Sequence, residues 1–290
     1  MSDTSFKVVT IAGGTGLLGF NITYACLNDG SYKVKILRKK PESENNNANL
    51  LASKGAEVIY VDYNDKNDLV KALEGTDVII SAIGRTKELL ACQRALLNAA
   101  KVVGVKRFIP SEFGAELKET TDEMHPFLKP KDEFFQELKN SGIEYTMIIT
   151  GIFYEYLGAI GFDYKNKKAT FSVDGNTKVA GTSCADIGKY TVESLKLPEA
   201  RNGTIRVAGF VLTLNELLKK FEQITDAKWE VSNDFTLRQR YKNNTAPVPT
   251  IWDDFYAYVI ANLDIKKLHN DKFSFTPQPV TEGISALVKN

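Results

Sequence analysis

The chain has 290 residues, with 37 Lys+Arg against 36 Asp+Glu, 43% hydrophobic residues and three cysteines; that is length for about two domains or one large α/β unit with a sizeable core. A formal charge of +1 offers no excess positive potential to draw in a phosphate backbone, which argues against nucleic acid as a partner and confines charge chemistry to local sites. Cys26, Cys92 and Cys184 are widely spaced with no CxxC pair, and only His125 and His269 supplement them, which argues against a metal site or a disulfide framework.

The N-terminal stretch MSDTSFKVVTIAGGTG has no basic run leading into an apolar one, and no apolar run approaches the roughly 18 residues of a bilayer span. The expectation is a cytoplasmic protein without a membrane partner, in which the sequons at Asn21, Asn202 and Asn243 meet no glycosylation machinery. From Phe6 to about Ile149, short β-branched runs alternate with helical stretches: KVVTIA, GLLGFNITYACL, YKVKILR, ANLLASKG, EVIYV, DLVKALEG, DVIISA, KELLACQRALLNAAKVVG, RFIPS, a helix around EFFQELKNSG, and YTMII. Such alternation predicts an α/β fold, a doubly wound parallel sheet with helices on both faces. VVTIA, VIYV and VIIS are apolar on both sides, as strands covered on two faces are. Gly30, Gly55, Gly75, Gly104 and Gly142 stand where helices should end. The stretch ESENNNAN at 42–49 reads as a solvated loop after the second strand.

After Gly151 the rhythm breaks. YKNKKATFSVDGNTKVAGTS reads as a hairpin or a pair of short strands turned at Asp174-Gly175, followed by a helix from Ala185 to about Leu195. TIRVAGF reads as one more strand, and LNELLKKFEQITD as a helix capped by Thr213 or Asn215. The segment from about Asp234 to Leu268 has helical spacing with many aromatics, interrupted by NNTAPVPT.

The first strand runs directly into Gly13-Gly14-Thr15-Gly16-Leu17-Leu18-Gly19, a GxxGxxG pattern between strand and helix. Glycine at 13 permits the tight turn, at 16 lets the backbone approach a pyrophosphate, and at 19 lets the helix pack on the strand, while the helix N-terminus offers free N–H groups. Dinucleotide binding follows. At the end of the second strand, where a carboxylate about 20 residues on would bind the ribose of NAD, the chain has Arg38, then Lys39 and Lys40. A guanidinium there can fork onto a 2′-phosphate, which favours NADP(H). Asp62-Tyr63 after the third strand and Ser81-Ala82-Ile83-Gly84 after the fourth lie at the carboxyl ends where open sheets bind ligands.

Hydride transfer usually needs a proton carrier. Tyr164 with Lys168 is the sole Tyr-x-x-x-Lys match, but it falls in a polar stretch leading to a hairpin and reads as accidental. Lys131 is the stronger candidate. It opens the helix before YTMII, whose first turn should lie at the carboxyl edge, and both the helix dipole and partial burial disfavour its charged form. Taken alone it is one cation among several, beside Lys129 and Lys139.

GGTGLLG, VIISAIG, KRFIPSEFG, the lysine before EFFQELKNSGIEYT, and DGNTKVAGTSCADIGKYT follow in an order and spacing that resembles the isoflavone reductase-like and NmrA-like atypical short-chain dehydrogenases over nearly the whole chain. The resemblance implies a Rossmann-type NADP-binding domain, here 1–150, and a smaller C-terminal α/β substrate lobe, here mainly 151–290 with about 183–210 returning to the sheet. It implies Lys131 as catalytic lysine and Arg38 as the NADP-phosphate arginine. A second phosphate-contacting lysine of plant members falls in ENNNANL, so its role passes to Lys39 or Lys40 or is absent. The plant Asn-Cys-Phe is replaced by Gly151-Ile152-Phe153, removing a side chain near the nicotinamide.

Two readings follow. In the first, the chain is an NADPH-dependent reductase of a small aromatic or enone-like molecule, a monomer or homodimer, with Lys131 as proton donor or oxyanion stabiliser. Its coenzyme and substrate site would include Phe153, with Tyr154, Tyr156 and Trp252, and also Phe255 and Tyr256, as aromatic walls; the same rings serve equally as core. In the second, it resembles the NmrA regulators and senses NADP through a protein partner. Retention of lysine at 131 favours the enzyme. His125, before Pro126, reads as a loop histidine or an auxiliary proton carrier.

Overall fold

A computed structural model describes residues 6–40, 44–84, 88–117 and 124–289. The chain divides into two compact units, one of Met1–Glu112, Leu128–Ile148 and Ile187–Ile205, the other of Phe113–Phe127, Ile149–Asp186 and Arg206–Asn290.

The first unit alternates β1 (Val8–Ala12), α1 (Leu17–Asp29), β2 (Lys33–Lys39), α2 (Asn46–Ser53), β3 (Glu57–Val61), α3 (Lys66–Leu73), β4 (Val78–Ser81), α4 (Leu89–Val103), β5 (Arg107–Ile109), α5 (Lys129–Lys139) and β6 (Glu144–Ile149). These strands pair in parallel, in the order β6-β5-β4-β1-β2-β3. The sheet is parallel and doubly wound, as the alternation predicts, and this order puts its topological switch between β1 and β4. All four residues of β4 are buried, as a strand covered on both faces requires. Ala12, Leu37, Ile79, Leu96, Phe108, Phe134 and Leu138 share one core.

Asn45 caps α2, its side chain accepting from the Ala48 N–H. The asparagine-rich stretch therefore enters a helix at Asn46 instead of remaining a loop, because an Asn side chain satisfies an otherwise orphaned first-turn amide; residues 41–43 lie outside the described chain. In α5, Pro130 sits in the first turn and Phe134 and Leu138 are buried. Lys131, Phe134 and Leu138 follow i, i+3, i+7 spacing, so the lysine stands on the same stripe one turn nearer the N-terminus.

The later elements are β7 (Ile152–Phe153), β8 (Phe162–Asp163), β9 (Lys168–Phe171), β10 (Lys178–Thr182), α6 (Cys184–Ser194), β11 (Gly203–Arg206), β12 (Phe210–Thr213), α7 (Leu214–Thr225), β13 (Glu230–Asn233), α8 (Leu237–Lys242), α9 (Ile251–Ala261) and α10 (Val280–Lys289). β9 and β10 do flank a turn, in which the Thr177 N–H donates to the Asp174 carbonyl at 2.8 Å. They are not hairpin partners, however: β9 pairs with β8 and β13, whereas β10 pairs with β7 and β12. TIRVAGF likewise is two strands, β11 joining the seven-stranded sheet beside β6 and β12 joining β10. The break falls at Gly209, where a Cβ would stand 2.2 Å from the Tyr154 hydroxyl. Strand β13 and helix α10 carried no expectation from the sequence. Thr213 caps α7 in a capping box with Glu216. The second unit packs Tyr154, Leu157, Phe162, Phe171, Leu217, Phe221 and Trp229 in a core of its own. All three cysteines are buried free thiols, and no helix among the described residues is long and apolar enough to cross a membrane.

Candidate functional site

The glycine loop folds as its spacing requires. Gly13 has φ +77°, and a Cβ there would lie 2.8 Å from the Ala82 carbonyl oxygen, so loop and β4 terminus meet backbone to backbone. A Cβ on Gly19 would lie 2.1 Å from the Gly13 carbonyl oxygen; only glycine lets α1 begin so close to β1. Thr23 pins the turn, its Oγ1 standing 3.1 Å from the Gly14 carbonyl oxygen and 2.7 Å from that of Gly19. Gly16 precedes Leu17 and Leu18 at the start of α1 without a side-chain cap and with no acidic residue in the first turn. Its first amides and the positive end of its dipole thus suit an anion.

Arg38 ends beside this loop. Its Nη1 donates to Thr15 Oγ1 at 3.3 Å, and its guanidinium lies 5.4 Å from the centroid of the Tyr60 ring. Asn47 donates to the Thr15 carbonyl at 3.1 Å, a contribution from α2 that sequence reasoning missed and that the flanking asparagines alone did not single out. Lys39 is bound to Glu88 at 2.6 Å and Lys40 to Asp68 at 2.8 Å. Arg38 is thus held at the loop, whereas Lys39 and Lys40 are engaged by carboxylates. Asp62 accepts from the backbone and side chain of Asn64. Tyr63 packs against the first unit's core, and burial pushes its phenol well above the usual range.

At the end of β4, Ser81 is fully buried and its Oγ has no hydrogen-bond partner among the described residues. Ala82 is buried, and its N–H donates to the Ala12 carbonyl at 2.8 Å; the Ile83 carbonyl accepts from Ser111 Oγ at 2.8 Å. The Ser111 N–H donates to Gln93 Oε1 at 2.8 Å, so the loop after β5 is tied to both α4 and the β4 terminus. Onto this loop comes Lys131. Its Nζ donates to the Ser111 carbonyl at 2.6 Å and to Glu112 Oε2 at 3.3 Å. The structure therefore brings together the glycine loop, the β4 terminus and Lys131 at the carboxyl edge of one sheet. Glu112 is a chemical residue the sequence reading left without a role. Its signal was position, a carboxylate directly after the fifth strand. Burial raises its pKa, with Lys131 opposing.

In the second unit, Gly151 has φ +70°, and a Cβ would stand 2.2 Å from the Ala180 carbonyl oxygen. Local backbone packing accounts for the missing side chain there. Phe153 and Tyr156 stack with centroids 5.7 Å apart and planes 17° apart, and Tyr156 is partly exposed. Trp252 is exposed and packs on Phe127 at 4.7 Å. Tyr154 belongs to the core: it is 2% exposed and its hydroxyl donates to the Gln278 carbonyl at 3.0 Å. Of the two roles open to these rings, Tyr154 takes the structural one. Lys168 lies in β9 and pairs with Glu230 at 2.9 Å, not on a helical face with Tyr164.

His125 is buried among Phe127, Phe255 and Tyr258. Its Nδ1 accepts from the Phe127 N–H at 3.2 Å. Its Nε2 stands 3.2 Å from Asp254 Oδ2, at ion-pair distance without hydrogen-bond alignment, and Arg238 holds the other carboxylate oxygen at 3.1 Å. Burial lowers its pKa below 6.5, against the pull of Asp254. Because the unfolded chain takes up this proton first, stability is full above about pH 6.5 and is lost as pH falls below it. Urea unfolding midpoints measured against pH should show this slope in the wild type and a shallower one in His125→Gln.

The NmrA-like family profile matches residues 5–248. "Pinoresinol reductase 2" of Arabidopsis thaliana is 33% identical over 261 residues, covering 81% of this chain and 82% of that protein. "Isoflavone reductase" of Glycine max is 32% identical over 244 residues, covering 74% of each. The solved structure "AtPrR2 with NADP+ and (+)pinoresinol" superposes with a TM-score of 0.79 at 26% identity, covering 98% of this chain and 99% of that one.

Proposed function

This chain belongs to the NmrA-like family, and we propose that within it the protein is an NADP(H)-dependent reductase of a small aromatic molecule, acting in the cytoplasm as a monomer or homodimer. The observation that carries the reading is Lys131, its ammonium fixed by the Ser111 carbonyl at the same sheet edge as the glycine loop. The coenzyme fits the residues present. The glycine loop and the uncapped start of α1 would hold its pyrophosphate, Arg38 its 2′-phosphate, and the buried Ser81 hydroxyl supplies an unused polar group at the β4 terminus. When bound, NADPH supplies the hydride. Lys131 gives a proton to the substrate oxygen, or holds the negative charge that develops there. The rings of Phe153, Tyr156 and Trp252 offer flat apolar surface to an aromatic substrate.

The relatives' names direct the test. Purified protein is assayed for NADPH oxidation with pinoresinol, other benzylic ethers, isoflavones, enones and quinones. Turnover of at least one class, dependent on Lys131, is the expected result. Tight NADP binding without oxidation of any acceptor, together with a protein partner recovered by pull-down, would replace this reading by that of a coenzyme sensor.

A further inference from the structure

We propose that Glu112 is the positioning residue for Lys131 and returns a proton to it after each donation. This rests on the reading of Lys131 as proton donor above. Ser111 and Glu112 follow β5, and the hydrogen bonds of Ser111 to Gln93 and Ile83 fix the loop that bears them. The Ser111 carbonyl and the Glu112 carboxyl consequently converge on one nitrogen, Lys131 Nζ, at 2.6 and 3.3 Å. The lysine and glutamate side chains are only 17% and 14% exposed. Glu112 Oε2 faces the ammonium, while Oε1 is buried with no hydrogen-bond partner among the described residues.

Such a carboxylate is poorly solvated, which shifts its equilibrium toward the protonated form relative to an exposed glutamate. Among the described residues, the charged groups acting on it are Lys131, which favours the carboxylate, and Asp132, which disfavours it, both from α5. From α4 the same loop meets the neutral Gln93, and from the β4 terminus the Ile83 carbonyl. When Lys131 gives its proton to the substrate oxygen, one N–H bond breaks and an amine remains beside the Glu112 carboxyl. The Glu112 O–H bond then breaks as a new N–H bond forms on Lys131, leaving an ammonium–carboxylate pair of zero net charge. The carboxylate recovers its proton from water. Two coupled groups of this kind titrate as a pair.

Two measurements test the pairing, and the first needs no substrate. Glutamate side-chain carboxyls are followed by carbon NMR against pH, with the Glu112 signal assigned by its loss in Glu112→Gln. It should titrate above the exposed glutamates, and higher still in Lys131→Gln; the same midpoint in both proteins would overturn the pairing. In the second, turnover is measured against pH with the acceptor identified in the screen, pinoresinol being tried first. Glu112→Gln should lower kcat more than it changes KM and should erase the fall in rate that accompanies deprotonation of Glu112, with Glu112→Asp restoring part of both. A Glu112→Gln profile identical to wild type would sink the proton-return role. Full turnover in Lys131→Ala would instead refute the reading on which it rests.

Discussion

Lys131→Ala is expected to lower turnover by about 10²–10⁴-fold, the usual contribution of a positioned proton donor, while NADPH still binds. The separation is expected because the glycine loop and Arg38, which would hold the coenzyme, make none of their described hydrogen bonds through Lys131. Lys131→Arg should be nearly as inactive. A guanidinium keeps the charge but does not give up its proton at neutral pH, and its planar fork does not match a site built around one nitrogen. Stopped-flow NADPH oxidation and coenzyme fluorescence titration give the two quantities. Wild-type turnover in the alanine variant would remove Lys131 from the chemistry.

Arg38→Ala should weaken NADPH far more than NADH. A hydrogen bond to a charged group contributes about 1.5–3 kcal/mol, which corresponds to roughly 10- to 150-fold in Kd. NADH lacks the phosphate and should lose little. Neighbouring cations are poorly placed to compensate, since Lys39 and Lys40 would first have to leave Glu88 and Asp68. Equal weakening of both coenzymes would show that Arg38 acts on the loop through Thr15 and not on a 2′-phosphate.

How far these residues were legible depended on whether their role is local. The glycine loop could be read because its turn, close approach and helix packing all fall within Gly13–Gly19, where each requirement excludes a side chain. The parallel, doubly wound character of the sheet could be read from alternation, since successive strands joined by helices pair in parallel. Between a hairpin and a pair of separate short strands the local pattern could not decide, because strand partners are chosen by distant segments: β13 and β12 take the edges that a hairpin would have filled. The split of TIRVAGF reflects partners in two different sheets, and Gly209 at the break lies against the Tyr154 hydroxyl, more than fifty residues away in the chain. Aromatic composition could not separate Tyr154, buried and bonded to Gln278, from the exposed Trp252, because core and substrate wall call for the same rings. Glu112 was passed over because its partner, Lys131, comes from a different element.

Each of the two units is assembled from three separate stretches of the chain. Neither unit can therefore be lifted out as a contiguous cassette. A cut after β6 would strand β11, which belongs to the same sheet yet follows in sequence only after β7 to β10 have been made. On a ribosome, that sheet stays one strand short until the polypeptide has run well into the second unit. Exchange of substrate preference between relatives is accordingly expected to proceed by point changes within a shared framework, not by shuffling of whole modules.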